Sequence, residues 1–325
     1  MREVAEISPM KIVIPGGSGQ VGQILARHFH AQGHAVTVFS RNPMNAPWNV
    51  VRWEGLTGGG WIAELEQSDV CINLAGRSVN CRYTPANRRD ILESRVRSTR
   101  LLHEAIAGLK HPPKLWINAS TATIYRHAMD RAMSETAGEL GGNEPGAPDT
   151  WNFSIDVAKA WEEAFFCTPT PLTRKIAIRS AMTFSPDRGG VFDVFLGLVQ
   201  RGLGGRQGPG TQYISWIHDA DFVRAVDWLI AHETFDGVVN LASPNPLPNR
   251  DFMRTLREAW GTGIGLPSAA WMLELGTRLL RTESELVLKS RRVVPGRLLD
   301  AGFVFLFPDW RAAARDLVER WRKEN

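Results

Sequence analysis

A parallel, doubly wound α/β sheet followed by a smaller, mainly helical C-terminal domain is the architecture this sequence predicts, on three observations. Short apolar stretches alternate with helical ones from Lys11 to Leu241, the pattern of strands joined by crossover helices. The first of them, Ile12-Val13-Ile14-Pro15, runs straight into Gly16-Gly17-Ser18-Gly19-Gln20-Val21-Gly22, a glycine turn that opens a helix. The helical pattern from Gln20 to Gln32 stops at Gly33 and is followed by the apolar strand Ala35-Val36-Thr37-Val38-Phe39, completing a βαβ unit of about 30 residues.

The later elements follow in order. Val50-Val51-Arg52-Trp53 reads as a short strand, Gly58-Gly59-Gly60 as a loop, and Trp61 to Gln67 as a short helix. Asp69 to Gly76 is a buried strand that leaves the sheet through small residues, and Pro85 to Leu109 has apolar residues at helical spacing. Lys114 to Ala119 is the next strand; Arg126 to Asp149, rich in Gly, Pro, Glu and Ser, reads as an exposed loop. A helix from Phe153 to Phe166 and a strand Ile176-Ala177-Ile178-Arg179 extend the alternation. Beyond it, the glycines between 202 and 210 predict a mobile loop, and Ser215 to Asp221 leads into a helix ending at Ala231. Val238-Val239-Asn240-Leu241 is a strand, and Asp251 to Trp260, Ser268 to Leu280 and the C-terminus are helical. The division expected is a sheet domain at 1–185 plus 211–243 and a small substrate-side domain at 186–210 plus 244–325.

The glycine turn carries the chemistry. Without Cβ atoms at Gly16 and Gly19 the backbone can bend tightly and let a pyrophosphate approach the N–H groups at the helix N-terminus, while Gly22 lets the helix pack closely on its strand. This is a Rossmann-type dinucleotide turn; a glycine-rich turn with no ligand is the plain alternative. An NAD site of this type places an acid at the end of the second strand for the ribose 2′-hydroxyl. Here the strand runs into Ser40-Arg41, and no acidic residue occurs between Lys11 and Trp53. NADP(H) is therefore the cofactor expected, with Arg41 as the fork of donors for the 2′-phosphate and Ser40 adding a hydroxyl.

Composition narrows the class. The 325 residues are 43% hydrophobic and 22% charged, as in ordinary soluble globules, and no apolar run approaches the ~18–20 residues of a membrane span. No signal-peptide core follows Met1, so a cytoplasmic address is expected. Cys71, Cys81 and Cys167 have neither metal-type spacing nor an even number, and are read as reduced thiols. The net charge of +4 is dispersed, which sets nucleic acid aside, and no metal site is expected. A small-molecule substrate is the partner expected, an anionic one if arginines at Arg179, Arg188, Arg201, Arg206 and Arg292 converge on a cleft.

Taken together, these residues resemble the extended branch of the short-chain dehydrogenase/reductases, and more narrowly a nucleoside-diphosphate-sugar-epimerase-like family with a small C-terminal domain. The pieces that carry the resemblance are the glycine turn, Val36 to Arg41, Asn73-Leu74-Ala75-Gly76, Ser94-Arg95-Val96, Trp161-Glu162, Ser215-Trp216-Ile217-His218, and Arg292-Val293-Val294-Pro295 with Gly302-Phe303. The resemblance implies that Asp69 sits near the adenine, that Leu74, Ala75 and Gly76 line the cofactor, and that Thr121 bonds the reacting oxygen. It implies an oxidoreductase acting on a carbonyl or sugar-like substrate. An NADP(H)-binding sensor or scaffold without catalysis, and a nucleotide-sugar epimerase, are the alternative readings.

One departure bears on catalysis. The superfamily's proton transfer uses a Tyr and a Lys four residues later, whereas the three tyrosines here are followed at that spacing by Asn87, Met129 and Ile217. The motif's place is read as Phe153 to Lys159, with Ile155 where the Tyr would stand and Lys159 left to hold the nicotinamide ribose. Asp156 points about 100° away from Ile155 and is a poor replacement. A water, Tyr125 or His218 is the substitute considered for proton donor, with cleft lining and a cap on the turn as the plainer roles of the two side chains; Trp216 is placed near a ligand, with core packing as its alternative.

Overall fold

In the computed structural model, which describes residues 8–42, 44–268 and 285–324, the strands are β1 (Lys11–Pro15), β2 (Ala35–Ser40), β3 (Asn49–Arg52), β4 (Val70–Asn73), β5 (Leu115–Thr121), β6 (Arg174–Ser180), β7 (Met182–Phe184), β8 (Tyr213–Ile214), β9 (Trp216–His218), β10 (Gly237–Leu241) and β11 (Leu247–Pro248). The helices are α1 (Gln20–Ala31), α2 (Pro85–Ala107), α3 (Asp149–Phe166), α4 (Val191–Gln200), α5 (Asp219–Ala231), α6 (Asn249–Trp260), α7 (Glu285–Leu288), α8 (Gly296–Asp300) and α9 (Trp310–Glu324). Seven strands form one parallel sheet in the order β10-β6-β5-β4-β1-β2-β3. The chain winds outward from β1 to β3, then crosses to β4 on the other side, so the strand order reverses between β1 and β4. In such sheets the crevice outside the carboxyl ends at the reversal is where ligands bind.

Both faces of the sheet are covered, because successive side chains point to opposite sides and nearly all are apolar. Ile12, Ile14, Val36, Val38, Ile72, Ile117 and Ile178 pack with Leu25 and Phe29 of α1 and Phe222, Val226 and Leu229 of α5. Val13, Phe39, Cys71, Trp116 and Ala177 face the other way onto Leu102 and Ile106 of α2 and Phe165 of α3. A second core joins Phe184 of β7, Phe192, Phe195 and Val199 of α4, Trp216 of β9, Phe252 and Leu256 of α6, and Trp310, Leu317 and Val318 of α9.

Several segments differ from expectation. Strand β7 and helix α4 have no counterpart in the sequence reading: Val191 to Gln200 is a short apolar run whose periodicity does not separate strand from helix. Residues 126–149 are only partly a surface loop, since Ala128 and Met133 are fully buried and Met133 bridges to Val293. The glycine segment 202–210 is tied down rather than loose. Gln207 is buried, its N–H donates to Asn249 Oδ1 at 2.7 Å, and Gly205 and Gly208 donate to the carbonyls of Leu266 and Ser268. The helix expected from Ser268 to Leu280 lies outside the described residues apart from Ser268, which bridges to Gln207.

Trp310 anchors the second core. It is 3% exposed, stacks on Phe252 at 4.2 Å between ring centroids, and donates from Nε1 to the Phe252 carbonyl at 3.0 Å. Trp310→Ala is expected to lower stability by about 3–5 kcal/mol in a denaturant titration; a loss under about 1 kcal/mol would mean that α9 contributes little to folding.

Candidate functional site

The glycine turn forms because no side chain fits it. Gly16 has φ +76°, and a Cβ there would fall 2.7 Å from the Ala75 backbone; a Cβ on Gly22 would sit 2.6 Å from the carbonyl of Gly17. Gly19 is different, since a Cβ there meets only the Gly16 oxygen at 3.7 Å and otherwise faces open space. Gly19 caps α1 without a side-chain bond, and the first turn carries no acid. The backbone N–H groups of Ser18, Gln20, Val21 and Gly22 donate to no other backbone group, so they point outward at the positive end of the helix dipole. Gln23 Nε2 donates to the Gly17 carbonyl at 3.0 Å and holds the turn from behind.

At the end of β2, Ser40 is buried and its Oγ accepts the Asn42 N–H at 3.3 Å. Arg41 beside it is exposed and makes no hydrogen bond or ion pair among the described residues. Asn73 Oδ1 accepts the Ala75 N–H at 3.1 Å, while its Nδ2 bonds Asn118 and Thr99, which shapes the Leu74-Ala75-Gly76 exit of β4 against the glycine turn. Asp69 is a correction. It lies at the opposite, amino-terminal edge of the sheet, where Oδ2 accepts the Lys11 N–H at 2.9 Å and Oδ1 pairs with Lys114 at 2.9 Å. An open hollow of about 1140 Å³ borders it, away from the carboxyl ends where the turn is.

A cleft of about 340 Å³ continues from the turn. Val21 and Leu74 form its cofactor-side wall, Ala119 to Thr123 at the end of β5 its back, and Tyr83, Ile91 and Arg95 the side toward α2. Thr121 lies on this cleft, its Oγ1 accepting the Thr123 N–H at 3.2 Å. From α3 the lining residues are Phe153, Ser154, Val157, Ala158 and Trp161, one helical stripe.

That stripe overturns the expected register. Ile155 and Lys159 fall about 130° and 170° from the middle of it and pack against the 141–144 turn. Ile155 Cδ1 abuts Gly141, and Lys159 Nζ donates to the Gly141 carbonyl at 2.6 Å. Lys159 is thus not placed toward a nicotinamide ribose. The cleft-facing pairs at a spacing of four are Phe153 and Val157, Ser154 and Ala158, and Val157 and Trp161, none with an acid or a cation.

The two substitute proton donors are also elsewhere. Tyr125 is 2% exposed; its hydroxyl donates to Asn240 Oδ1 at 3.0 Å and accepts from Arg179 at 2.9 Å. Burial raises its pKa, outweighing the opposing pull of Arg179. His218 is 1% exposed, accepts the Ala220 N–H at Nδ1 as the cap of α5, meets Asp316 at 2.9 Å through Nε2, and stacks on Phe307. Burial lowers its pKa despite Asp219 and Asp316, which suits a neutral capping ring. Trp216 is fully buried against Trp310.

None of the five arginines expected at an anion site lines the cleft. Arg179 forms a buried fork with both Glu162 oxygens, at 2.8 and 2.7 Å. Arg188 and Arg201 are exposed, Arg206 bonds carbonyls of its own loop, and Arg292 lies over the Tyr213 ring.

The cleft's charged groups come instead from residues the sequence reading passed over. Ser154 Oγ donates to Glu285 Oε2 at 2.5 Å and lies 3.4 Å from the Tyr83 hydroxyl. Arg291 Nε donates to Thr123 Oγ1 at 3.1 Å, and its Nη2 is 3.4 Å from Glu285 Oε1. Behind them Lys289, 1% exposed, donates to the Thr123 carbonyl at 2.8 Å. Only Arg95 had been singled out before, as part of a motif without a role.

The turn at the reversal of a parallel sheet, with a cleft beyond it, defines a Rossmann-like α/β protein. A model of the NAD dependent epimerase/dehydratase family matches residues 12–146, and a domain of unknown function, DUF1731, matches residues 269–317. An epimerase family protein of Staphylococcus saprophyticus is 30% identical over 307 residues, 94% of this chain and 98% of its own length. Human epimerase family protein SDR39U1 is 29% identical over 314 residues, 95% of this chain and 100% of the relative. The crystal structure of human SDR39U1 (isoform 2) with NADPH superposes with a TM-score of 0.81 at 26% identity, over 95% of this chain and 99% of that one. The chain belongs to the epimerase family of extended short-chain dehydrogenase/reductases.

Burial, and Arg291 next to it, push the pKa of Lys289 down to about 7, against the opposing pull of Glu285 and Glu144. An unfolded Lys holds its proton to about 10.5, so between pH 7 and that value the unfolded chain binds more protons and stability rises with pH. Lys289→Met is therefore expected to raise the melting temperature at pH 7 by about 2 °C or more, the gain shrinking toward pH 10. A difference independent of pH in a melting series would show that the lysine is not titrating.

Proposed function

We propose that this protein binds NADP(H) and uses it as an oxidoreductase on a small carbonyl compound held in the cleft beyond the glycine turn. The observation that carries this reading is the continuity of the turn with the cleft through Val21 and Leu74. The residues present fit the cofactor: Gly16 makes the tight bend, a side chain on Gly19 would occupy the open space before the turn, and the N–H groups of Ser18, Gln20, Val21 and Gly22 make no backbone hydrogen bond among the described residues. Arg41, free of any acid, suits a 2′-phosphate. The human relative crystallised with NADPH supports the same assignment.

When bound, the reduced nicotinamide supplies hydride. Thr121 would orient the carbonyl oxygen from the end of β5, and the oxygen needs a proton as the carbon is reduced. Since α3 presents Ser154 in place of a phenol, the proton would pass to the substrate oxygen through the hydroxyls of Ser154 and Tyr83, the one that gives it recovering a proton from solvent. Three free thiols suit a reducing, cytoplasmic setting.

A second reading, an NADP(H)-binding sensor or scaffold without turnover, is favoured by Ser154 and Ala158 at the cleft-facing positions of α3. Oxidation of NADPH with a carbonyl panel separates the two, because a binding protein leaves the rate at its protein-free value. The epimerase reading needs the same proton transfer, so it too depends on a donor in the cleft other than a phenol on α3.

Titration by nicotinamide fluorescence should give tighter binding of NADPH than of NADH. Arg41→Ala should weaken NADPH by about tenfold to a hundredfold and leave NADH nearly unchanged. Equal losses for both cofactors would remove Arg41 from the 2′-phosphate, and absence of binding by the wild-type protein would end the oxidoreductase reading.

A further inference from the structure

The cleft is apolar on most of its wall. Ile91, Val157, Phe153, Trp161, Ile178 and Phe222 all line it. Among its ionic groups, Arg291 is matched by Glu285, so those two charges cancel. Arg95 is matched by no carboxylate among the described residues. Its Nη1 donates to two neutral acceptors, the carbonyls of Arg77 and Ile91, each at 3.0 Å, and its guanidinium lies 5.0 Å from the centroid of the Trp161 ring. No carboxylate pairs with it among the described residues, whereas the arginines around it have acids: Arg77 pairs with Asp90, Arg88 with Asp149 and Arg179 with Glu162.

An uncompensated cation against an apolar wall is costly, and folding alone gives no reason to keep it there. Burial lowers the pKa of Arg95 to about 10, and the groups opposing that shift, Tyr83 and Cys81, are not carboxylates. The side chain is not sealed off: it is half-buried and lines the cleft. A guanidinium held by carbonyls on one edge and resting on an indole face is pre-oriented, with the remaining N–H groups of its fork left for an incoming anion.

We infer that the cleft takes a small, largely apolar carbonyl compound bearing one carboxylate, with Arg95 as the anion contact and Trp161 as the floor beneath it. This rests on the reductase reading and names the substrate class of that same site. One net positive charge matches one negative charge. A nucleoside diphosphate would bring two, together with hydroxyls for which these apolar walls have few partners. The carboxylate end lies toward α2 at Arg95 and the carbonyl end toward β5 at Thr121, so a single compact molecule spans the two sides of the cleft.

The test uses the full-length protein saturated with NADPH. NADPH binding is measured first and separately, so that failure of the cofactor reading is seen before any carboxylate is added; if NADPH does not bind, the wild-type and Arg95→Met proteins are both titrated without it, and the difference between them reads the Arg95 site apart from the glycine turn and Arg41. Benzoate is the probe, with benzamide as its neutral counterpart of the same shape and inorganic phosphate as an anion without an apolar body, followed by calorimetry and by melting temperature. Benzoate is expected to bind saturably and to raise the melting temperature, with benzamide weaker by about tenfold or more and phosphate weaker still. Arg95→Met, which keeps an unbranched apolar stem over Trp161, should lose about tenfold or more in benzoate affinity while its NADPH affinity stays within about twofold of wild type. Arg95→Lys should fall between them, since it keeps the charge without the fork. Equal binding of benzoate and benzamide, tighter binding of phosphate than benzoate, or an Arg95→Met variant that loses NADPH affinity instead would each overturn the inference.

Discussion

Helix α1 approaches the turn before it so closely that hydrogen is the only substituent Gly22 can carry, and the rest of the site follows from that contact. A Cβ there would enter the backbone of Gly17. The same closeness fixes the direction of α1, so its unsatisfied N–H groups point into the crevice between β1 and β4. Gly16, pressed against Ala75, brings the exit of β4 to the same place. Once those backbones are set, Val21 and Leu74 stand side by side at the mouth of the cleft. The turn is also tied to the region beyond the sheet, because Gln20 Nε2 donates to Ser185 Oγ at 2.9 Å and Arg27 reaches both oxygens of Asp187.

The rotation of α3 about its own axis decides the chemistry on the cleft's other side. Glu162 bonds Ser120 at 2.5 Å and takes the Arg179 fork, and Arg179 in turn holds the Tyr125 hydroxyl. A buried ion pair contributes little net stability, but removing one partner strands the other. Such a network therefore tolerates few alternative rotations of the helix. With Glu162 locked to the sheet, Ser154, Ala158 and Trp161 face the cleft, and Ile155 and Lys159 are carried under the 141–144 turn.

The segment from 285 to 293 supplies what α3 lacks. It returns from the far end of the chain to lie beside the end of β5, where Lys289 and Arg291 bond Thr123 and the Ser290 Oγ donates to the Ala128 carbonyl at 2.6 Å. Glu285 thereby meets Ser154 across 131 residues of chain, and Ser154 in turn lies near the Tyr83 hydroxyl. A polar cluster of this kind sits in an otherwise apolar cleft, so each hydrogen bond and charge in it counts for more than it would in water.

What the sequence by itself determined is the set of features governed by local geometry. The parallel alternation, the glycine turn, Arg41 after β2 and the absence of a Tyr-Lys pair were legible, because each depends on strand periodicity, on the missing Cβ of glycine or on plain residue identity, whereas Thr121 was singled out by the family resemblance alone. Tertiary structure alone decided which face of α3 meets the cleft, since an unpaired helix carries no mark of its rotation and Glu162 finds Arg179 only once β6 lies beside β5. It also decided that Tyr125 and His218 are sealed into the fold, that Asp69 belongs to the far edge of the sheet, and that the cleft's charges are Arg95, Glu285 and Arg291. Burial and counter-charge are sums over groups distant in the chain, and no local pattern encodes them.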